Sequence, residues 1–315
     1  MKAVDHVRAL FPAEMAVPAA PITVNFHPDR PLADGASVAE HLAAEGVYRS
    51  QFETGISNGG LGGDRERWEH RMFAGAYTGA AGRPVYGGLN LAGYPDGASP
   101  RFGSCHLVLA PDVAARATFS HGDSVTEPEA VGTATTFRAV WEALLDEVAR
   151  TGRALNLAAG SPQEWVRALG VPRPDAGRAL DDYVETQIHG GLALASDVTA
   201  VVVDPSFGGT PVEAHLRKLG LPLRWAPGFE LPARDFPADL RGPSVPPLAA
   251  AVAAHYGREV LDAAVVGRAA NEPGTWAVFG DRAEVLQLLK YLWHILVLRG
   301  RTTAAPRTPG TAAPR

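Results

Sequence analysis

One stretch constrains the fold of this chain more than any other: residues 183–204, YVETQIHGGLALASDVTAVVVD. Glu185, Gln187 and His189 recur at every second position, and alternate residues of a strand share a face. The three polar side chains therefore point one way and Val184, Thr186 and Ile188 the other, toward a core. The run 198–203 is almost entirely β-branched and apolar, as expected of a strand buried on both faces. The spacing predicts two strands joined by a glycine-containing turn. A row of Glu, Gln and His beside a buried strand is costly unless it faces a cleft or finds partners. Glu185 is accordingly the leading candidate for a functional residue, with Gln187 and His189 beside it.

Composition narrows the classes. The 315 residues carry a net charge of -5, and no dense Lys/Arg block lies outside the tail, so nucleic-acid binding has no electrostatic footprint. The single cysteine, Cys105, excludes an intrachain disulfide and a multi-cysteine metal site. Asp5 and Glu14 flank only a short apolar pattern, unlike a signal peptide. The longest apolar segment, 286–298, is interrupted by Gln287, Lys290 and His294 and is too short to span a bilayer. A cytoplasmic protein with no membrane partner is the expectation.

Along the chain, a short helix over 3–10 precedes a strand over 22–26 that runs into His27-Pro28-Asp29-Arg30, either a site or a turn with an ion pair. A helix over 37–44 is stopped by Gly46. The loop 47–63 is polar and glycine-rich, and matches neither phosphate-binding pattern; it either covers a ligand or is merely mobile. Residues 64–72 read as a charged helix with a solvated face. Tyr86 precedes two glycines, which suggests a tyrosine against an open surface or a packed edge residue. Strands are expected over 104–109 and within 113–119, and a compact polar turn at 120–124. A helix over 137–150 carries one apolar stripe. Capping boxes open helices after Ser161 and Thr210. Residues 221–248 read as a surface excursion, 248–256 as a small helix, and 263–266 and 275–279 as short strands. Asp281 and Glu284 cap a final helix over 282–299. The organisation expected is an N-terminal helix and lead-in (1–20), a catalytic α+β domain (21–210), a helical or mixed extension packed on it (211–300) and a disordered tail (301–315).

The candidate metal ligands His27, Asp29, His121, Asp123, Glu185 and His189 lie in no strong signature, so no metal is expected; a metal-dependent hydrolase built on the first four is the alternative. No nucleophile elbow is present, and Cys105 lies inside an apolar strand. A lone strand carboxylate suits another chemistry, the stabilisation of positive charge on a sugar during glycosidic cleavage. One carboxylate suffices when the leaving group departs without protonation, as the cationic nicotinamide of NAD does.

The order VNFHPDR, SVAEHLAAEG, glycine-rich loop, RPVYGG, YVETQIHGG over residues 20–205 resembles the ADP-ribosyltransferase superfamily. His27, Tyr86 and Glu185 stand where that superfamily has a His–Tyr–Glu pattern; Arg30, Ser57 and Glu185 would fit its Arg–Ser–Glu variant. Pro28-Asp29 replaces the His-Gly-Thr continuation, and Glu185-Thr186-Gln187 replaces Glu-x-Glu. The resemblance implies an α+β fold of split, mostly antiparallel sheets that form an NAD-type cleft flanked by helices, with NAD as co-substrate. It further implies that His27, Arg30 and Ser57 contact NAD, that Tyr86 stacks on nicotinamide, and that Glu185 stabilises the oxocarbenium ion. Gln187 or His189 would position the acceptor, a protein or a small molecule. The phrases FHPDR, QFETGISNGG, RPVYGGLN and YVETQIHGG also resemble a bacterial family of domains of unknown function. A non-enzymatic ligand-binding module is the third reading.

Overall fold

The β-branched runs become the strands of one large sheet in the computed structural model, which describes residues 2–55 and 61–303. Helix α1 (Lys2–Leu10) precedes strand β1 (Ile22–Phe26), and helices α2 (Val38–Glu45), α3 (Gln51–Thr54) and α4 (Asp64–Met72) precede β2 (Val85–Leu89). Next come β3 (Cys105–Leu109), β4 (Ala117–His121), β5 (Val131–Thr133), α5 (Arg138–Thr151), the short β6 (Arg153–Ala154) and β7 (Leu157–Ala158), and α6 (Pro162–Ala168). Then follow β8 (Val184–Ile188), α7 (Leu194–Asp197), β9 (Val198–Val203), α8 (Pro211–Arg217) and β10 (Leu223–Trp225). The C-terminal part holds β11 (Gly228–Pro232), α9 (Val245–His255), β12 (Val260–Leu261), α10 (Ala263–Asn271), α11 (Arg282–Arg299) and β13 (Arg301–Thr303).

The main sheet has the order β10-β9-β3-β1-β2-β8-β4-β5. Its neighbours are antiparallel except β9 and β10, so the chain is a mixed α/β protein built on a mostly antiparallel sheet. The join between β1 and β2 is short. β1 pairs with β3 from Thr23 to Phe26, and β2 pairs with β8 from Val85 to Leu89, but β1 meets β2 only at Ile22–Leu89 and Thr23–Gly88. Beyond Thr23 the two strands part, and the residues on their diverging ends line a cleft. The glycines after Tyr86 serve this join rather than an open surface: a Cβ on Gly87 would lie 2.6 Å from the Thr23 carbonyl oxygen, and one on Gly88 would lie 2.7 Å from the Ala98 Cβ.

The C-terminal helices share the core of the sheet. One hydrophobic cluster runs from Ile22 and Val24 through Phe119 and Val201 to Leu292 and Ile295. Asp281 opens α11 with a capping box to Glu284. The Trp293 indole N–H donates to the Pro100 carbonyl at 2.7 Å, and the Arg178 guanidinium donates to the Val297 and Gly300 carbonyls, each at 2.8 Å, satisfying the helix's C-terminal acceptors. A smaller cluster of Ala3, Val7, Trp68, Met72, Phe73 and Val131 ties α1 to α4 and β5. No helix among the described residues is long and apolar enough to cross a membrane.

Several expectations are corrected. β8 and β9 do not form a hairpin; β2, β1 and β3 lie between them, and α7 occupies the connection. A strand as apolar as β9 is buried by neighbours on both sides, which β3 and β10 supply. Residues 263–266 are helical, because the Asp262 side chain caps the Val265 N–H, and 275–279 belong to a 3-10 turn. Val113 also lies in a 3-10 turn, so the fourth strand begins only at Ala117. Helix α4 buries Arg65, Trp68, Glu69 and Met72 instead of presenting a wholly solvated face. In the tail, Arg301–Thr303 pairs with β11; residues 304–315 lie outside the described residues.

Candidate active site at the parting of the sheet

Glu185 is the second residue of β8, opposite Gly88 on β2 and Ser120 on β4, and is 2% exposed. Its Oε1 accepts the Ser124 backbone N–H at 3.1 Å and the Gln187 side-chain amide at 3.0 Å. Among the described residues its Oε2 has only a long bond from the Tyr183 hydroxyl at 3.4 Å, with the Arg65 guanidinium 3.8 Å away. Arg65 is committed elsewhere, to Asp123 at 2.8 Å and to the Ser124 hydroxyl at 3.0 Å. One cation thus serves two carboxylates unequally. Burial and then Asp123 push Glu185 up to about 7. Burial is the largest single effect on Asp123 too, but Arg65, the Val125 N–H and Arg101 together outweigh it and hold that carboxyl below its usual value.

The polar row of β8 finds its partners in a directed chain of hydrogen bonds. The Tyr77 hydroxyl lies 2.5 Å from His189 Nδ1, and His189 Nε2 lies 3.0 Å from Thr118 Oγ1. Thr118 donates to Gln187 Oε1 at 2.8 Å, and the Gln187 amide donates to Ser120 and Glu185, each at 3.0 Å. Because Thr118 has one proton and spends it on Gln187, the network assigns the Nε2–H tautomer to His189, with Tyr77 donating to Nδ1. Burial and the nearby Arg116 push His189 down to about 3, consistent with a neutral ring. Neither Gln187 nor His189 lines the cleft; the chain they form converges on Glu185 from behind.

His27, Tyr86 and Glu185 line one cavity, together with Arg30 and Arg65. Burial first, then Arg30 and Lys290, push His27 down to about 3, and its ring meets the Trp293 ring edge-on at 5.4 Å. The Tyr86 hydroxyl donates to Glu69, which also pairs with the buried Arg83. The Arg65 guanidinium lies over the Tyr86 ring, 4.7 Å from its centroid, so one face of that ring is already stacked. Ser57 lies outside the described residues.

Three residues of this site escape a reading of the sequence by period, Arg65 and Glu69 on α4 and Ser124 on the turn after β4, and Asp123 beside Ser124 stands out in the sequence only as a candidate metal ligand. The signal that could have found the first pair is their spacing with Trp68 and Met72, which puts all four on one helical stripe. The four candidate ligands of the hydrolase alternative are not brought together. His121 pairs with Glu147 at 2.8 Å, Asp123 pairs with Arg65, and His27 and Asp29 line a second cavity. Among the described residues no three His, Cys, Asp or Glu side chains converge.

Two comparisons bear on identity. The Gene 2 protein of Mycobacterium phage D29 is 27% identical to this chain over 186 residues, which cover 58% of this chain and 67% of the phage protein. The family described as "Protein of unknown function (DUF3626)" matches residues 21–299, from the lead-in to the strand that delivers His27 to the last turn of α11. The chain therefore belongs to the DUF3626 family.

Proposed function

We propose that the protein cleaves the N-glycosidic bond of NAD and passes ADP-ribose to an acceptor or to water. The observation that carries this reading is Glu185: a buried carboxylate, oriented through Oε1 by two donors, with Oε2 left under-coordinated in a cleft that His27 and Tyr86 also line. In the reaction the bond between ribose C1′ and the nicotinamide nitrogen breaks, and its electron pair leaves with nicotinamide. Positive charge grows on the ribose, and a fixed carboxylate in a low-dielectric site stabilises that charge more than water would. Glu185 Oε2 retains acceptor capacity for a ribose hydroxyl. The acceptor then bonds to C1′ and loses a proton. Arg65 and the chain from Tyr77 to Gln187 hold the carboxylate in place, so little reorganisation accompanies charge development.

The test is incubation of the purified chain with NAD labelled in the nicotinamide ring, comparing wild type with Glu185→Gln. Release of nicotinamide by wild type alone is expected. Equal release, or none from either, would remove this reading.

A further inference from the structure

A second cavity adjoins the first and differs from it in charge. His27, Arg30, Thr54 and Phe102 line both. The second cavity is the larger, about 260 Å³ against about 70 Å³, and its far wall comes from α10 and α11. Four cations line it: Arg30, Arg101, Arg282 and Lys290. Arg101 pairs with Asp181, which is itself mostly exposed, while the Arg101 Nε is buried without a hydrogen-bond partner among the described residues. Arg30, Arg282 and Lys290 take part in no ion pair among the described residues. Burial first, and then the nearby Arg101 and Arg30, push Lys290 down to about 8. The one acidic residue on the wall, Asp29, is pushed up to about 7 by burial and by Asp204 and Asp262, so it offsets only part of that charge. Leu286, Leu289 and Trp293 form an apolar face beside the cations.

Arg30 and Lys290 are partly buried and in no ion pair among the described residues, and with Arg101 and the more exposed Arg282 beside them like charges repel and are costly to assemble. In a chain of net charge -5 this cluster is a local departure, and an anion is what would relieve it. We infer that the cavity under α11 is a subsite for a nucleoside diphosphate group, with Arg30, Arg101 and Lys290 holding the phosphates and the Leu286–Leu289–Trp293 face taking the base. The choice of a nucleotide over a simpler anion rests on the NAD reading above; the anion subsite rests on the cavity itself. Its consequence is that the C-terminal helices belong to the binding site.

The full-length chain titrated calorimetrically with ADP and, separately, with adenosine tests this. ADP is expected to bind wild type, and adenosine at least tenfold more weakly. Lys290→Met is expected to weaken ADP at least tenfold with no loss of melting temperature, and Arg282→Ala, at an exposed position on the same wall, to weaken ADP to a smaller degree as a second variant that does not depend on the core. No ADP binding to wild type, equal binding of ADP and adenosine, or wild-type affinity in both variants would overturn the inference. ADP binding without nicotinamide release would sink the catalytic reading and leave the subsite standing. Nicotinamide release with the same KM for NAD in wild type, Lys290→Met and Arg282→Ala would do the reverse.

Discussion

The two cavities treat charge in opposite ways. Around Glu185 charges are matched: Arg65 answers Asp123 and, more distantly, Glu185, while Arg83 answers Glu69 and Glu66. Under α11 the cations outnumber their partners. Matched buried charges hold a geometry at a cost in desolvation that mutual attraction and hydrogen bonds offset. Unmatched ones repel, and an anion among them would lower that cost. The difference separates a place suited to orienting one carboxylate from a place suited to collecting an anion, with His27 and Arg30 on the wall between them.

The comparison can be broken most directly at Glu185. Glu185→Gln is expected to cut the rate of nicotinamide release on the order of 10²–10³-fold, the loss seen when one electrostatic stabiliser is removed. The fold should persist, since the amide can keep accepting from Ser124 and Gln187. Next comes Arg65→Met. It leaves Asp123 and Glu185 buried without their shared cation, and a loss of about 3–5 kcal/mol in unfolding free energy is expected from denaturant titration. If Arg65→Met melts like wild type, the matched-charge description fails.

The pH dependence follows from the raised Glu185. Its folded pKa, near 7, exceeds the unfolded value of 4.5, so the protonated form is favoured by folding. The stability this contributes is fully present below about pH 4.5 and is lost as pH rises through 7. Glu185→Gln should therefore match wild type in melting temperature at pH 5 and exceed it at pH 8. Under the proposed reaction activity runs the other way: that reaction needs the carboxylate, and nicotinamide release should rise with pH through about 7 in a rate profile at saturating NAD. A smaller effect is expected at Thr118→Val, which cuts the hydrogen-bond chain between His189 and Gln187. A loss of about 1–3 kcal/mol, the range for a buried polar group left unsatisfied, should appear in denaturant titration. The smallest belongs to His121→Ala, which removes a partly exposed pair outside both cavities and should cost under about 1 kcal/mol with no change in nicotinamide release.

What could be read in the sequence follows from how local each signal is. The alternation of Glu185, Gln187 and His189 is a property of five adjacent residues, and it located the buried polar strand. Helix α11 announces itself by Asp281, Glu284 and one apolar stripe. The partners of those residues are another matter. Arg65 and Glu69 look solvated in a helix of charges, and only Asp123, Arg83 and Tyr86, brought from elsewhere in the chain, make them buried. Strand neighbours were illegible for the same reason: nothing local in 183–204 says that β8 and β9 will end three strands apart. In 263–266 the short apolar run fits either period, and the Asp262 cap decides for the helix. Lys290 interrupts an apolar segment, which excluded a membrane span but gave no sign of the cavity it faces.

Trp293 stands in the wall of the cavity under α11, anchored to Pro100 and edge-on to His27, which both cavities share. It is also an optical reporter. Of the six tryptophans in the chain it alone lines either cavity, so a ligand entering under α11 should alter its emission while the others act as a constant background. The molecule thereby supplies a label-free readout of occupancy, and Trp293→Phe its internal blank.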